Sequence, residues 1–201
     1  ATKFSQLGLD ADKAYRATLA LGRTTSTGDA EGEVLRERAV NVTRERIEQA
    51  CRSFVGVIAQ TPPMHSALKH EGRALYEYAR AGIAIERAPR EVRIDAIEIA
   101  EWRGDRLVLD VRCGKGTYIR SLAEDLGEAL GCGAHLTALR RTASGGLRIE
   151  DAHTLDALAA HKGGQGGGRR RRLLGQLWRG LQRGGGKRCL FLLRECRNAD
   201  Q

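Results

Sequence analysis

The stretch VRIDAIEIAEWRGDRLVLDVRCGKGTYIRSLAEDLGEALG, residues 92–131, decides the fold. It holds two runs with strand patterning and one run with helix patterning. In the second run Leu107, Leu109, Val111 and Cys113 alternate with other side chains, the period of a strand with one buried face. The first run, Val92 to Trp102, also alternates, but its phase slips between Ala96 and Ile97, which predicts a β-bulge there. Arg103-Gly104-Asp105-Arg106 joins the two as a hairpin. Cys113-Gly114-Lys115-Gly116 is a tight loop. Thr117 then opens a helix whose Ile119, Leu122, Ala123, Leu126 and Leu130 share one stripe, and Gly131 closes it.

Working outward, Lys13 to Leu21 reads as a half-buried strand, with Tyr15, Ala17, Leu19 and Leu21 on one side and Arg16 and Thr18 on the other. Gly22 to Gly32 is small, polar and acidic, the composition of a loop. Thr43 is placed to cap a helix bearing Ile47, Ala50, Cys51 and Phe54, ended by Gly56. Gln60-Thr61-Pro62-Pro63 forbids regular structure. Arg73 to Ala81 predicts a short helix stopped by Gly82. Ala134 to Arg140 predicts a short strand, Thr142 to Gly146 a turn before Leu147-Arg148-Ile149, and a last helix starts near Thr154. Strands and helices mix without strict alternation. The fold class is therefore α+β, a mixed or antiparallel sheet with flanking helices.

The chain has 201 residues and a formal charge of +9. The excess is local: residues 162–201 hold 11 basic and two acidic side chains, while residues 1–161 hold 23 of each. Net charge therefore says nothing of a nucleic-acid surface in the body of the chain. Residues 162–201 are rich in Gly and Arg, with Arg169 to Arg172 consecutive, and are expected to be a disordered basic tail. A basic RNA-binding tail and an out-of-frame translation both account for that composition. The organisation expected is thus a domain over 1–161 and a tail over 162–201. No run is long and apolar enough to span a membrane. Five cysteines (51, 113, 132, 189 and 196) without a CxxC pair argue for reduced thiols and a cytoplasmic setting, and against a zinc site or disulfide framework. The first residue is Ala1 and the sole methionine is Met64, which suggests processing or a piece of something longer.

Taken singly, the residues with chemical promise stay ambiguous. Gly114-Lys115-Gly116 before a helix suits an anion, because backbone N–H groups and Lys115 favour one, and it equally suits a plain turn. Arg140-Arg141 beside a Gly-rich turn suits a carboxylate or phosphate, or simply a solvated strand end. Tyr15 lies on the apolar side of its strand, as a core ring or as a base-stacking platform. Asp29 is a turn-stabilising residue by default. The five histidines show no metal spacing and no nucleophilic triad is legible.

Together the segments are distinctive. KAYRATLALGRTTSTGDAEGEV, QTPPMHSALKHEGRALYEYARAG and CGKGTYIRSLAEDLGEALGCGAHLTALRRTASG resemble, in order, the B family of pseudouridine synthases, the bacterial enzymes acting at uridine 55 of tRNA. The resemblance covers residues 1 to about 158 and implies a pseudouridine-synthase-like catalytic domain. It implies an isomerase that breaks the glycosidic bond of a flipped T-loop uridine, turns the base and rejoins it through C5, without cofactor or metal. It implies tRNA, through its T-arm, as the partner; a monomer is the default expectation. By resemblance, Tyr15 stacks on the target base, Asp29 belongs to a loop near the site, and Tyr118 lies in a GTYIR motif lining the catalytic cleft. Arg140 pairs with the catalytic Asp and holds it ionised. Pro63 to about Arg90 matches a segment that closes over RNA, with Lys69, Arg73 and Arg80 as phosphate contacts. Lys115 and Arg141 join them as RNA-binding candidates. Ala138 stands where the family can place an aromatic residue.

One departure governs the functional expectation. The family's nucleophilic Asp lies in a GTLDP-type motif shortly before the sequence aligning with Ala1-Thr2-Lys3-Phe4, and no such motif occurs here. The expectation is an incomplete catalytic domain, an N-terminally truncated fragment inactive alone. The alternatives are a non-catalytic tRNA-binding or tRNA-folding module using the same cleft, and a basic protein binding RNA through residues 162–201.

Overall fold

The computed structural model describes residues 10–154 and 156–157. Residues 12–142 form one compact unit, and the remaining described residues, 10–11, 143–154 and 156–157, belong to a second. The first unit carries strands β1 (Lys13–Leu21), β2 (Arg23–Thr25), β3 (Val34–Glu37), β4 (Gly56–Gln60), β5 (Lys69–His70), β6 (Arg73–Ala74), β7 (Arg90–Arg103) and β8 (Arg106–Cys113). Strand β9 (Ala134–Ser144) begins in it. Helices α1 (Arg44–Ser53), α2 (Leu75–Arg80) and α3 (Ile119–Leu130) complete it.

The main sheet of this unit runs in the order β9-β1-β8-β7-β4. β1 pairs antiparallel with β8 from Lys13↔Cys113 to Ala20↔Arg106, and β8 pairs antiparallel with β7. The expected α+β architecture with an antiparallel sheet is thus the observed one. The irregularity expected between Ala96 and Ile97 falls one residue pair earlier, between Ile94 and Ala96, and a second lies between Ile99 and Glu101. Two bulges in one long strand bend it and raise its local twist.

Alternation sorts the two sheet faces. Tyr15, Ala17, Leu19 and Leu21 of β1 and Leu107, Leu109, Val111 and Cys113 of β8 are buried with Ile47 and Cys51 of α1. The α3 stripe, Ile119, Leu122, Ala123, Leu126 and Leu130, lies in the same core. Side chains of the opposite parity form ion pairs at the surface: Arg16–Asp110 at 2.6 Å, and Arg93 with Asp12 at 2.6 Å and Asp95 at 3.0 Å. The helix ends follow local chemistry. Thr43 accepts a hydrogen bond from the Arg46 N–H at the start of α1, and Gly131 closes α3 in the left-handed region at φ 82°.

Several local expectations shift. Gly22 to Gly32 is not wholly loop, because Arg23–Thr25 pairs with Val34–Glu37. Gln60 is the last residue of β4, and irregular chain begins at Thr61. The helix expected from Arg73 is shorter, Leu75–Arg80, and α3 starts at Ile119 instead of Thr117. β9 runs on to Ser144, past the turn expected at Thr142. In the second unit Leu147 and Arg148 form β10, paired with Ser144 and Ala143. Thr154 accepts from the Ala157 N–H at 3.2 Å where a last helix was expected. The tail over 162–201 lies outside the described residues.

Candidate active site

The polar run Thr25-Ser26-Thr27-Gly28-Asp29 builds a holder for one carboxylate. The Thr25 hydroxyl donates to the Asp29 carbonyl at 2.7 Å. The Thr27 hydroxyl and the Glu31 N–H donate to Asp29 Oδ1 at 2.6 and 3.2 Å. The Leu136 N–H donates to the Gly28 carbonyl at 3.0 Å, so β9 holds the loop. Oδ2 is left to Arg120, whose Nη2 lies 2.9 Å away. The side chains are 19% exposed for Asp29 and 27% for Arg120, so the pair is sheltered while remaining open to a ligand. A charge-assisted contact of this kind is stronger and more directional than a surface ion pair.

Arg120 is set by the start of α3. Gln60, 2% exposed, accepts from the Tyr118 N–H at 2.8 Å and donates to the Tyr118 carbonyl at 3.1 Å. A buried amide that satisfies both backbone groups of one residue fixes that residue firmly. The Ser121 hydroxyl donates to the Thr61 carbonyl at 3.1 Å, and Arg120 Nη1 to the His65 carbonyl at 3.3 Å. The chain leaving β4 is thereby stitched to the first turn of α3, and Tyr118 stands half-buried at its N-cap.

Tyr15 is buried, at 8% exposure, and the Arg141 guanidinium carbon lies 5.3 Å from its ring centre. That is cation–π geometry. Burial pushes the Tyr15 phenol above its ordinary value, and Arg141 partly opposes the shift. β9 therefore touches both parts of the site: Leu136 holds the Asp29 loop, and Arg141, about 16 Å further along the strand, covers Tyr15. Arg140 is exposed and forms no ion pair among the described residues. Lys115 is exposed in the loop before α3.

Lys69, Arg73 and Arg80 lie in the excursion 61–89 between β4 and β7, whose base is closed by the Gln60↔Arg90 pairing. Lys69 is exposed on β5. Arg73 lies 3.6 Å from Glu77 and over the Tyr78 ring at 4.9 Å, and Arg80 over Tyr76 at 5.4 Å. The sequence reading overlooked Arg120 and Gln60. Arg120 was visible as the last letter of GTYIR. Nothing in one sequence marks Gln60, since its partner is backbone 58 residues away.

An antiparallel sheet with α3 packed on one face is the fold of the pseudouridine synthase class. The structure is similar to that titled "Crystal Structure of a Cbf5-Nop10-Gar1 Complex", with a TM-score of 0.58 and 32% identity over 80% of this chain and 39% of that one. Residues 1–119 match the TruB family pseudouridylate synthase N-terminal domain, and residues 120–174 match the tRNA pseudouridylate synthase B C-terminal domain. The chain belongs to the TruB family. It is 63% identical to tRNA pseudouridine synthase B of Thiobacillus denitrificans over 82% of this chain and 55% of that protein. It is 58% identical to that of Chromobacterium violaceum over 77% of this chain and 51% of that protein. The chain thus spans about half the length of the curated relatives it matches. The C-terminal match runs past residue 161, into the segment read from composition as a tail.

Proposed function

We propose that the protein carrying this chain isomerises a uridine of tRNA to pseudouridine, at the T-loop position, as a cytoplasmic monomer acting on the T-arm. The Asp29–Arg120 pair is the observation that carries this reading: a sheltered guanidinium, already oriented by one carboxylate, on the helix of the GTYIR motif. The reaction breaks the N1–C1′ bond, turns the base and forms C5–C1′; the proton leaves C5 and N1 gains one. It needs a carboxylate kept ionised beside the sugar and a platform for the flipped base. Arg120 suits the first need and Tyr15 the second.

Two arginines compete for the nucleophile. Arg140 takes the role by resemblance to the family. Arg120 takes it in our reading, because it already faces a carboxylate in a partly dry setting where charge pairing is strong. Arg140 and Arg141 are then left for phosphate, with Lys69, Arg73, Arg80 and Lys115. On binding, Arg141 would leave the Tyr15 ring for a phosphate and open that face to the base. No Asp within residues 1–201 stands in a Gly-Thr-Leu-Asp-Pro setting, so the reaction is proposed for the whole protein. The test is pseudouridine formation on a T-arm stem-loop. The full-length protein is expected to form it, and polypeptide 1–201 alone is not. Turnover by 1–201 would refute the assignment of the nucleophile; none by the full-length protein would refute the function.

A further inference from the structure

Arg120 is held at both ends of its guanidinium. Its Nη2 meets Asp29 at 2.9 Å, and its Nη1 donates to the His65 carbonyl at 3.3 Å, at the entry of the excursion 61–89. A planar guanidinium held by two opposed contacts keeps its direction, whereas one held at a single end can turn. The entry is itself held by two further donors. The Ser121 hydroxyl reaches the Thr61 carbonyl from α3 at 3.1 Å. Arg87, on the far leg of the same excursion, donates from Nη1 to the carbonyl of buried Pro62 at 2.9 Å, across 25 residues of chain. From Pro62 to His65 the chain is stiff. Ring closure fixes φ at Pro62 and Pro63 and restricts the residue before each. A displacement at Pro62 is therefore passed on to His65.

We propose that Arg87 is a positioning residue: by clamping the exit of the excursion onto Pro62, it keeps the His65 carbonyl against Arg120 and so fixes the direction in which Arg120 presents its guanidinium. It acts through residues 62–65. The inference rests on the pseudouridine reading. The two legs of the excursion do not need Arg87 to meet, because the backbone pairing Gln60↔Arg90 already closes its base. Nor does stability account for an arginine at this place. The Arg87 Nε is buried with no hydrogen-bond partner among the described residues, and the Ser66 hydroxyl, next to His65 on the entry leg, is in the same state. A buried donor left unpaired costs stability. An unbranched apolar side chain would fill the same space without that cost. What it could not do is hold the Pro62 carbonyl.

The test is Arg87→Met in the full-length protein acting on a T-arm stem-loop. Met removes one unpaired donor and leaves one unpaired acceptor, so Tm should stay near the wild-type value. The expected result is a kcat lower by on the order of 10- to 100-fold, the effect of a misplaced catalytic group. KM should be unchanged, and Arg87→Lys, which keeps a donor for the Pro62 carbonyl, should restore most of kcat. An Arg87→Met protein with wild-type kcat overturns the proposal. So does a raised KM with kcat kept, which would make Arg87 an RNA contact, and so does a loss of kcat matched by a fall in Tm. If the wild-type protein forms no pseudouridine, the function falls, and the NMR signals of the Arg120 Nη protons decide the positioning claim separately. Separate signals for the two Nη groups in the wild type and Arg87→Lys, merged by rotation in Arg87→Met, support it. Separate signals kept in Arg87→Met overturn it.

Discussion

At the scale of single residues, the account stands on which arginine meets the nucleophile. Arg120→Ala in the full-length protein should lower kcat by about 100- to 1000-fold, as removal of a preorganised electrostatic partner does. Arg140→Ala should lower it about fivefold or less, since an exposed charge without a partner carries little. Single-turnover rates on a T-arm stem-loop check both; the opposite ranking would return the role to Arg140. Tyr15 is the second residue at issue. Tyr15→Ala should cost about 1–3 kcal/mol of kcat/KM through lost stacking, and Tyr15→Phe much less. The phenol also gives a stability signature. Folding raises its proton affinity, so the native state loses stability as pH climbs past the ordinary 10.0. Urea unfolding at pH about 9 and about 11 should show wild type losing more than Tyr15→Phe. The sequence made Tyr15 and Asp29 legible because their neighbours carry motifs. It hid Gln60, whose importance comes from Tyr118, distant in the chain.

At the scale of elements, α3 is the organiser. Its apolar stripe was plain in the sequence, because one turn of the pattern fixes the next. Its seating was not. Gly127 sits so close to the start of β9 that a Cβ would lie 2.1 Å from the Ala134 nitrogen and 2.5 Å from the Gly133 carbonyl carbon. Backbone cannot yield as a side chain can, so Gly127→Ala should destabilise by about 3 kcal/mol or more, measured by urea unfolding. Gly116, in the loop before α3, meets nothing within 4 Å but has φ 81°. Gly116→Ala should therefore cost only about 1–2 kcal/mol, the strain of a left-handed residue. The strands divide the same way. β1 and β8 alternate cleanly and were readable, whereas β2 spans Arg23–Thr25 and pairs beyond the loop that hid it. β4 escaped notice because its apolar run, Val57-Ile58-Ala59, is only three residues long between Gly56 and Gln60 and shows no alternation.

At the scale of the whole molecule, residues 12–142 carry the sheet and the Asp29–Arg120 pair, and the TruB match spans residues 1–174. The matched stretch covers about half the length of the curated relatives, and the reaction is therefore proposed for the whole protein. The uneven charge bears on this scale too. Residues 1–161 carry balanced charge, so any tRNA contact by this part of the chain is expected from local basic side chains such as Lys69, Arg73 and Arg141. The measurement that tests the central claim most directly is release of tritium from C5 of a labelled T-arm uridine. When C5 bonds to C1′ its hydrogen must leave, so each turnover frees one label. The full-length wild-type protein is predicted to release it to completion at one uridine per stem-loop, and the Arg120→Ala protein to release it far more slowly. No release by the wild type, or equal release by both, would contradict the account.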